Sequence, residues 1–282
     1  MRFFQYLLKI DRRIIYVVIG LVVIFPLVKP LGLGVTSGPR ATTLFEAIDA
    51  LPAGKTVLIS VDFDPSSMPE LYPMLAAVMR HAFAKDMKVL LCGLWVTGVG
   101  LADKAVTEIP PEYGKKYGED VVYLGWKAGV DAVILGMGEN IKNVFPADYQ
   151  GRPLDSLPMM REVKRLRDIP IVFAISAGTP GYTDWLLFAQ SRYGMKVGAG
   201  LTAVSAADAY PYLQSGQLTG LLAGMKGGAE YEVLVQKAGY SKAYMPAVAA
   251  MDSQSLAHVV IMILVIIGNI AYFATKTSRR KA

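Results

Sequence analysis

Val57-Leu-Ile-Ser-Val-Asp-Phe-Asp-Pro-Ser-Ser67 carries the plainest fold signal in the sequence. Its apolar, β-branched opening lacks the polar alternation of a half-exposed strand, so it reads as a strand buried on both faces, the habit of parallel sheets. It stops on acidic and hydroxyl residues. A helical pattern expected over 68–86 begins at once, with Leu71, Leu75, Val78, Met79 and Phe83 on one face. In open α/β sheets ligands sit beyond the carboxyl ends of strands. Asp62, Asp64 and Ser66 are therefore candidate ligand-binding residues.

On either side of this stretch, strand and helix patterns alternate. Strands are expected at 57–63, 88–94, 132–135, 171–176, 196–204 and 218–223. Helices are expected at 43–50, 68–86, 159–167, 183–193, 206–214 and 229–238, with broken helix over 101–128. Such alternation makes a mainly parallel, doubly wound sheet of about six strands. The two halves show a weak internal likeness. Each carries a strand, a polar turn and a helix, and each closes on a similar glycine-bounded apolar run, Gly129–Met137 in the first and Gly216–Met225 in the second. The turn after the fourth strand, 176–183, matches the turn after the first, so Ser176 and Thr179 join the candidate ligand-binding residues.

Hydrophobic residues make up 53% of the 282 and charged residues only 18%, which directs attention to membrane segments. Residues 14–28 are uncharged, and the segment extends to 33 if Lys29 snorkels. Residues 256–275 carry no charge apart from His258. About 20 helical residues cross a hydrocarbon core of about 30 Å. The domain plan is an amphipathic lead-in (1–13), a transmembrane helix (14–33), an extracytoplasmic α/β domain (34–255), a second transmembrane helix (256–275) and a basic tail (276–282). No Ala-x-Ala site follows the first segment, so it reads as an uncleaved anchor.

The net charge of +6 is not spread evenly. Arg2, Lys9, Arg12, Arg13, Lys276, Arg279, Arg280 and Lys281 face one acid, Asp11, giving the ends +7 and the middle −1. A nucleic-acid surface needs a basic patch on the folded domain, so no nucleic-acid partner is expected. The positive-inside rule places both tails in the cytoplasm of an inner-membrane protein, with the lipid bilayer as partner. Asn269, a polar amide inside the second segment, marks a helix interface with a homo- or hetero-oligomeric partner.

Catalytic inventories are thin. Asp62-Phe-Asp64 at a strand end resembles the opening motif of haloacid-dehalogenase-type phosphatases, and Thr97 stands where their second motif would be. The later lysine and the acidic pair of that family have no match. Ser176 lies in a Gly/Pro-rich turn, Ser176-Ala-Gly-Thr-Pro-Gly181. Membrane-anchored serine proteases of the Clp-protease and signal-peptide-peptidase type resemble it in combining an anchor with α/β crossovers. No lysine is tied to Ser176 by spacing, and the two histidines, His81 and His258, are poorly placed to serve it. Gly224-Met-Lys-Gly-Gly228 opens a helix after the last strand. Gly224, Lys226, Gly227 and Gly228 form a candidate anion-binding loop without matching a P-loop. One cysteine, Cys92, and two distant histidines give no zinc spacing.

The sequence thus predicts a Rossmann-like α/β domain between two transmembrane helices. The expected function is a non-enzymatic ligand-binding, scaffolding or accessory subunit of a membrane complex. The alternative is an anchored hydrolase, a Ser-type peptidase or esterase or an Asp-type phosphatase. No cofactor is named by any motif.

Overall fold

The computed structural model of the protein describes residues 11–279. The lead-in up to residue 10 and the last three residues of the basic tail lie outside the described residues. The chain divides into two compact units. One is residues 35–247, and the other combines the segments up to Gly34 and from Val248 onward.

The first unit is the α/β domain. Helix α2 (Pro39–Asp49) precedes strand β1 (Thr56–Asp62), followed by α3 (Met68–Ala84), β2 (Lys88–Gly93), α4 (Val99–Glu108), β3 (Val121–Trp126), α5 (Val130–Glu139), β4 (Ile171–Ser176), α6 (182–193), β5 (Lys196–Leu201), β6 (Gly220–Ala223) and α7 (Gly224–Lys237). All six strands pair in parallel in the order β3-β2-β1-β4-β5-β6. The order reverses between β1 and β4, the topological switch point of a Rossmann-like sheet.

Every residue of β1 is buried, as its unalternating sequence requires. Successive side chains go to opposite faces. Val57, Ile59, Val61 and Phe63 join a core layer with residues of α2, α3, α4 and α7. Leu58 joins the other layer with residues of α5, α6 and the long 141–169 connection. Helices lie very close to the sheet where strands carry glycine. A Cβ on Gly220 would stand 2.7 Å from the backbone nitrogen of Leu44, so α2 rests directly on β6.

Four expectations change. The third strand is 121–126, inside the stretch read as broken helix. The run 132–135 belongs to α5, whose Val133, Ile134 and Met137 are buried at helical spacing. A short apolar run has no period of its own to separate the two readings. The basic helix at 159–167 is instead two short 3₁₀ turns, Pro158–Arg161 and Leu166–Asp168. The Asp168 carboxylate accepts from the backbone N–H of Lys164 (3.0 Å) and Arg165 (3.1 Å), competing with helical bonding. The internal likeness does not extend to the glycine-bounded runs, since Gly129–Met137 enters a helix and Gly216–Met225 enters β6.

The fourth change concerns the other unit. Helix α1 (Arg12–Val28) has 17 residues, about 25 Å at the helical rise, and does not continue to residue 33. Lys29 leaves helical geometry, Pro30 follows, and Gly32 and Gly34 take positive φ of 64° and 79°. Helix α8 (Pro246–Arg279) has 34 residues. Among the described residues, one helix rather than two is long and apolar enough to cross a membrane, within Pro246–Ala274.

This unit is tied internally. The buried Asp252 carboxylate on α8 accepts from three successive N–H groups, those of Leu31 and Gly32 at 2.8 Å and Leu33 at 3.0 Å. The neighbouring Ser253 hydroxyl donates to the Val23 carbonyl at 2.8 Å.

Candidate functional site

The switch point brings Asp62 and Ser176 side by side as register partners on β1 and β4. Both are fully buried. Alternation aims them, with Ser60, toward the face that holds Leu58, Val172 and Ala174. Asp62 Oδ2 accepts from the Ser60 hydroxyl at 2.6 Å, and Oδ1 accepts from the Leu94 N–H at 2.6 Å. The carboxylate therefore closes the turn after β2 onto the end of β1. Burial pushes the Asp62 carboxyl up to about 7. The Ser60 and Leu94 hydrogen bonds oppose that rise, and the negative charge of Asp184 adds to it.

The space above these two side chains is filled by the chain itself. The Trp95 indole N–H donates to the Pro180 carbonyl at 2.6 Å, joining the turns after β2 and β4. Gly181 packs so closely on Ser176 that a Cβ there would meet the serine Cβ at 2.5 Å. Gly98 does the same to β1, where an added Cβ would stand 2.5 Å from the Val61 carbonyl oxygen. The Ser205 hydroxyl donates to the Ala177 carbonyl at 2.9 Å, tying in the turn after β5. The Ser176 hydroxyl is buried without a hydrogen-bond partner among the described residues. Leaving such a group unpaired costs free energy, which marks it as the least settled atom of the cluster.

The other candidates separate from this pair. Asp64 and Ser66 share a turn near the surface. Asp64 Oδ1 accepts from the Ser66 hydroxyl (2.7 Å) and the backbone N–H groups of Ser66 (3.0 Å) and Ser67 (3.1 Å). The hydroxyl and backbone donors hold its carboxyl below the usual range. Strand pairing stops at Asp62, so the two carboxylates do not converge on one ligand position. Thr179 is exposed in the turn after β4. The expected glycine loop is instead the first turn of α7, which begins at Gly224 rather than at 229, and Gly224 and Gly227 are buried there by packing demands. A Cβ on Gly227 would come within 2.6 Å of the Leu222 backbone. Lys226 is exposed and donates to Glu230 at 2.6 Å. Its charge is already matched within the helix.

His81 belongs to a different network, near the end of α3. Its ring stacks near Phe45 and Tyr240, with centroids at 4.3 and 5.2 Å, and those two rings are 6.3 Å from each other. Nδ1 lies 2.8 Å from the Tyr231 hydroxyl and Nε2 lies 3.2 Å from Asp49 Oδ1. A carboxylate only accepts, so Nε2 carries the proton and Nδ1 accepts from the tyrosine. Burial pushes the imidazole down to about 4, against the pull of Asp49. The ring is neutral at pH 7 and bonded on both nitrogens, which leaves it no lone pair for a distant serine.

Sequence reading missed Ser60, Trp95, Gly98, Gly181 and Asp184 as parts of this cluster. Ser60 was legible in principle, two residues before Asp62 and hence on the same strand face. The others act through turn geometry that no spacing announces. Compared with models of known families, with curated proteins and with solved structures, the chain matches none.

Proposed function

We propose that the protein is a membrane-anchored accessory or scaffolding subunit. Its α/β domain presents surfaces to a partner or a polar ligand rather than breaking bonds. The observation that carries the membrane half is the outward face of α8. Met262, Val265, Ile266 and Phe273 are each more than half exposed along a helix long enough to span a bilayer. Such a surface is costly in water and natural in lipid. The same holds for Val17, Leu21 and Ile24 on α1. In the two-pass topology that we favour, both ends lie in the cytoplasm, in keeping with their eight cations against one acid. A 17-residue helix then spans by local thinning of the bilayer or with its flanks drawn in.

What supports a non-enzymatic domain is the use already made of its polar groups. Asp62 binds Ser60 and Leu94, Asp64 binds its own turn, Lys226 binds Glu230, and His81 binds Asp49 and Tyr231. The alternative hydrolase rests on Ser176, which lies beside Asp62 and whose hydroxyl is unpaired among the described residues. Purified full-length protein assayed against p-nitrophenyl esters and p-nitrophenyl phosphate separates the two. The proposal expects no turnover, and equal background from Ser176→Ala. Turnover lost in Ser176→Ala or Asp62→Asn at unchanged melting temperature overturns it.

A further inference from the structure

Helix α8 has two long sides. One carries Asp252 and Ser253, bonded within the unit, then the partly or fully buried Leu256, Val260, Leu264 and Ala271, with the exposed Ile263, Ile267 and Ile270 among them. The opposite side carries Val259, Met262, Ile266, Asn269 and Phe273, all exposed. Their spacing is three, four, three, four. That is the heptad alternation of a helix–helix seam, and it sets a polar residue at one seam position.

Resting on the membrane reading above, we infer that this outward seam pairs with the same helix of a second copy of the chain, side by side and parallel, with the two Asn269 amides bonded to each other. Apolar side chains facing lipid need no cover, because lipid tails are as apolar as they are. Asn269 is different. Its amide carries two donors and an acceptor oxygen, and it meets no partner among the described residues. Residue 269 lies inside the apolar run 256–275, where a bare amide is unfavourable. Its ideal partner presents a donor and an acceptor at the same depth. A symmetric copy supplies both, since a two-fold axis brings like residues together. In coiled coils a single seam asparagine fixes register and partner number. Here it would fix a parallel pair at one register.

The test uses full-length protein reconstituted in phosphatidylcholine vesicles, with Cys92→Ala as background and single cysteines oxidised to disulfides. Ile266→Cys is expected to give a species of twice the chain mass. Ile261→Cys and Ile267→Cys are exposed too but lie about a third of a turn to either side, and they are expected to give several-fold less. Asn269→Leu is expected to lower the Ile266→Cys yield about three- to tenfold, equivalent to about 0.6–1.4 kcal/mol and within the range of interhelical hydrogen bonds in membranes. Asn269→Gln should keep most of it, and the melting temperature of the α/β domain should not move. Equal yields at all three cysteines, or a yield unaffected by Asn269→Leu, overturns the pairing. If the protein inserts into vesicles but stays monomeric, the pairing fails and the membrane reading stands. If it does not float with vesicles at all, both fail together.

Discussion

Asp62 and His81 are both buried titratable groups, and burial moves them in opposite directions. Asp62 titrates near 7 folded against 3.8 as a free side chain. Its folded state holds the proton more tightly, so its contribution is complete below pH 3.8 and lost as pH rises through 7. The whole span is worth about 4 kcal/mol. His81 titrates near 4 folded against 6.5. The unfolded chain takes up its proton first, so stability falls as pH drops from 6.5 to 4, by about 3 kcal/mol. Asp62→Asn should therefore gain on the parent between pH 4 and pH 8, and His81→Phe should gain on it as pH falls below 6. Both are read as slopes of melting temperature against pH, so a constant packing cost cancels. A flat difference for Asp62→Asn would show that its carboxyl is not perturbed by burial. The position of Asp62 was legible in the sequence, because an acidic residue ending an apolar strand has few other places to go. Its environment was not, because that depends on Leu94, Trp95 and Gly181 arriving from other turns.

At the scale of elements, apolar period and chain punctuation carried most of the reading. β1, β2 and β4 lie within a residue of their expected limits because each is a mainly apolar run bounded by polar, glycine or proline residues. The exchange of 121–126 for 132–135 shows where that logic ends. Both runs are short and apolar, and tertiary packing decided which one entered the sheet. The first apolar helix is shorter than its composition implied because Pro30 and two positive-φ glycines follow it. What takes over is Asp252, whose two oxygens accept three N–H bonds. Bonds to a charged acceptor are among the stronger ones. Asp252→Ala should lower stability by about 3 kcal/mol and open the chain to chymotrypsin at Leu31 or Leu33. Asp252→Asn keeps one acceptor oxygen and should fall between. Unchanged cleavage in Asp252→Ala would show that the carboxylate does not hold this segment.

For the whole molecule, the charge pattern and the exposed apolar surfaces agree. A near-neutral α/β domain is joined to one long apolar helix and one shorter apolar helix, the chain's ends are basic, and the polar groups of the sheet's carboxyl edge are largely satisfied from within. The order of the six strands could be anticipated only as doubly wound, since sequence alternation does not state which strands are neighbours. The proposed two-pass topology turns on which side of the membrane each segment occupies. Single cysteines introduced by Ser37→Cys and Ser278→Cys, probed in intact cells with a maleimide that cannot cross membranes, test this directly. The proposed topology gives labelling at position 37 in intact cells, labelling at position 278 only after permeabilisation, and retention of both proteins in the membrane after alkaline extraction. Labelling at 278 in intact cells, or release of the protein by alkali, would contradict it.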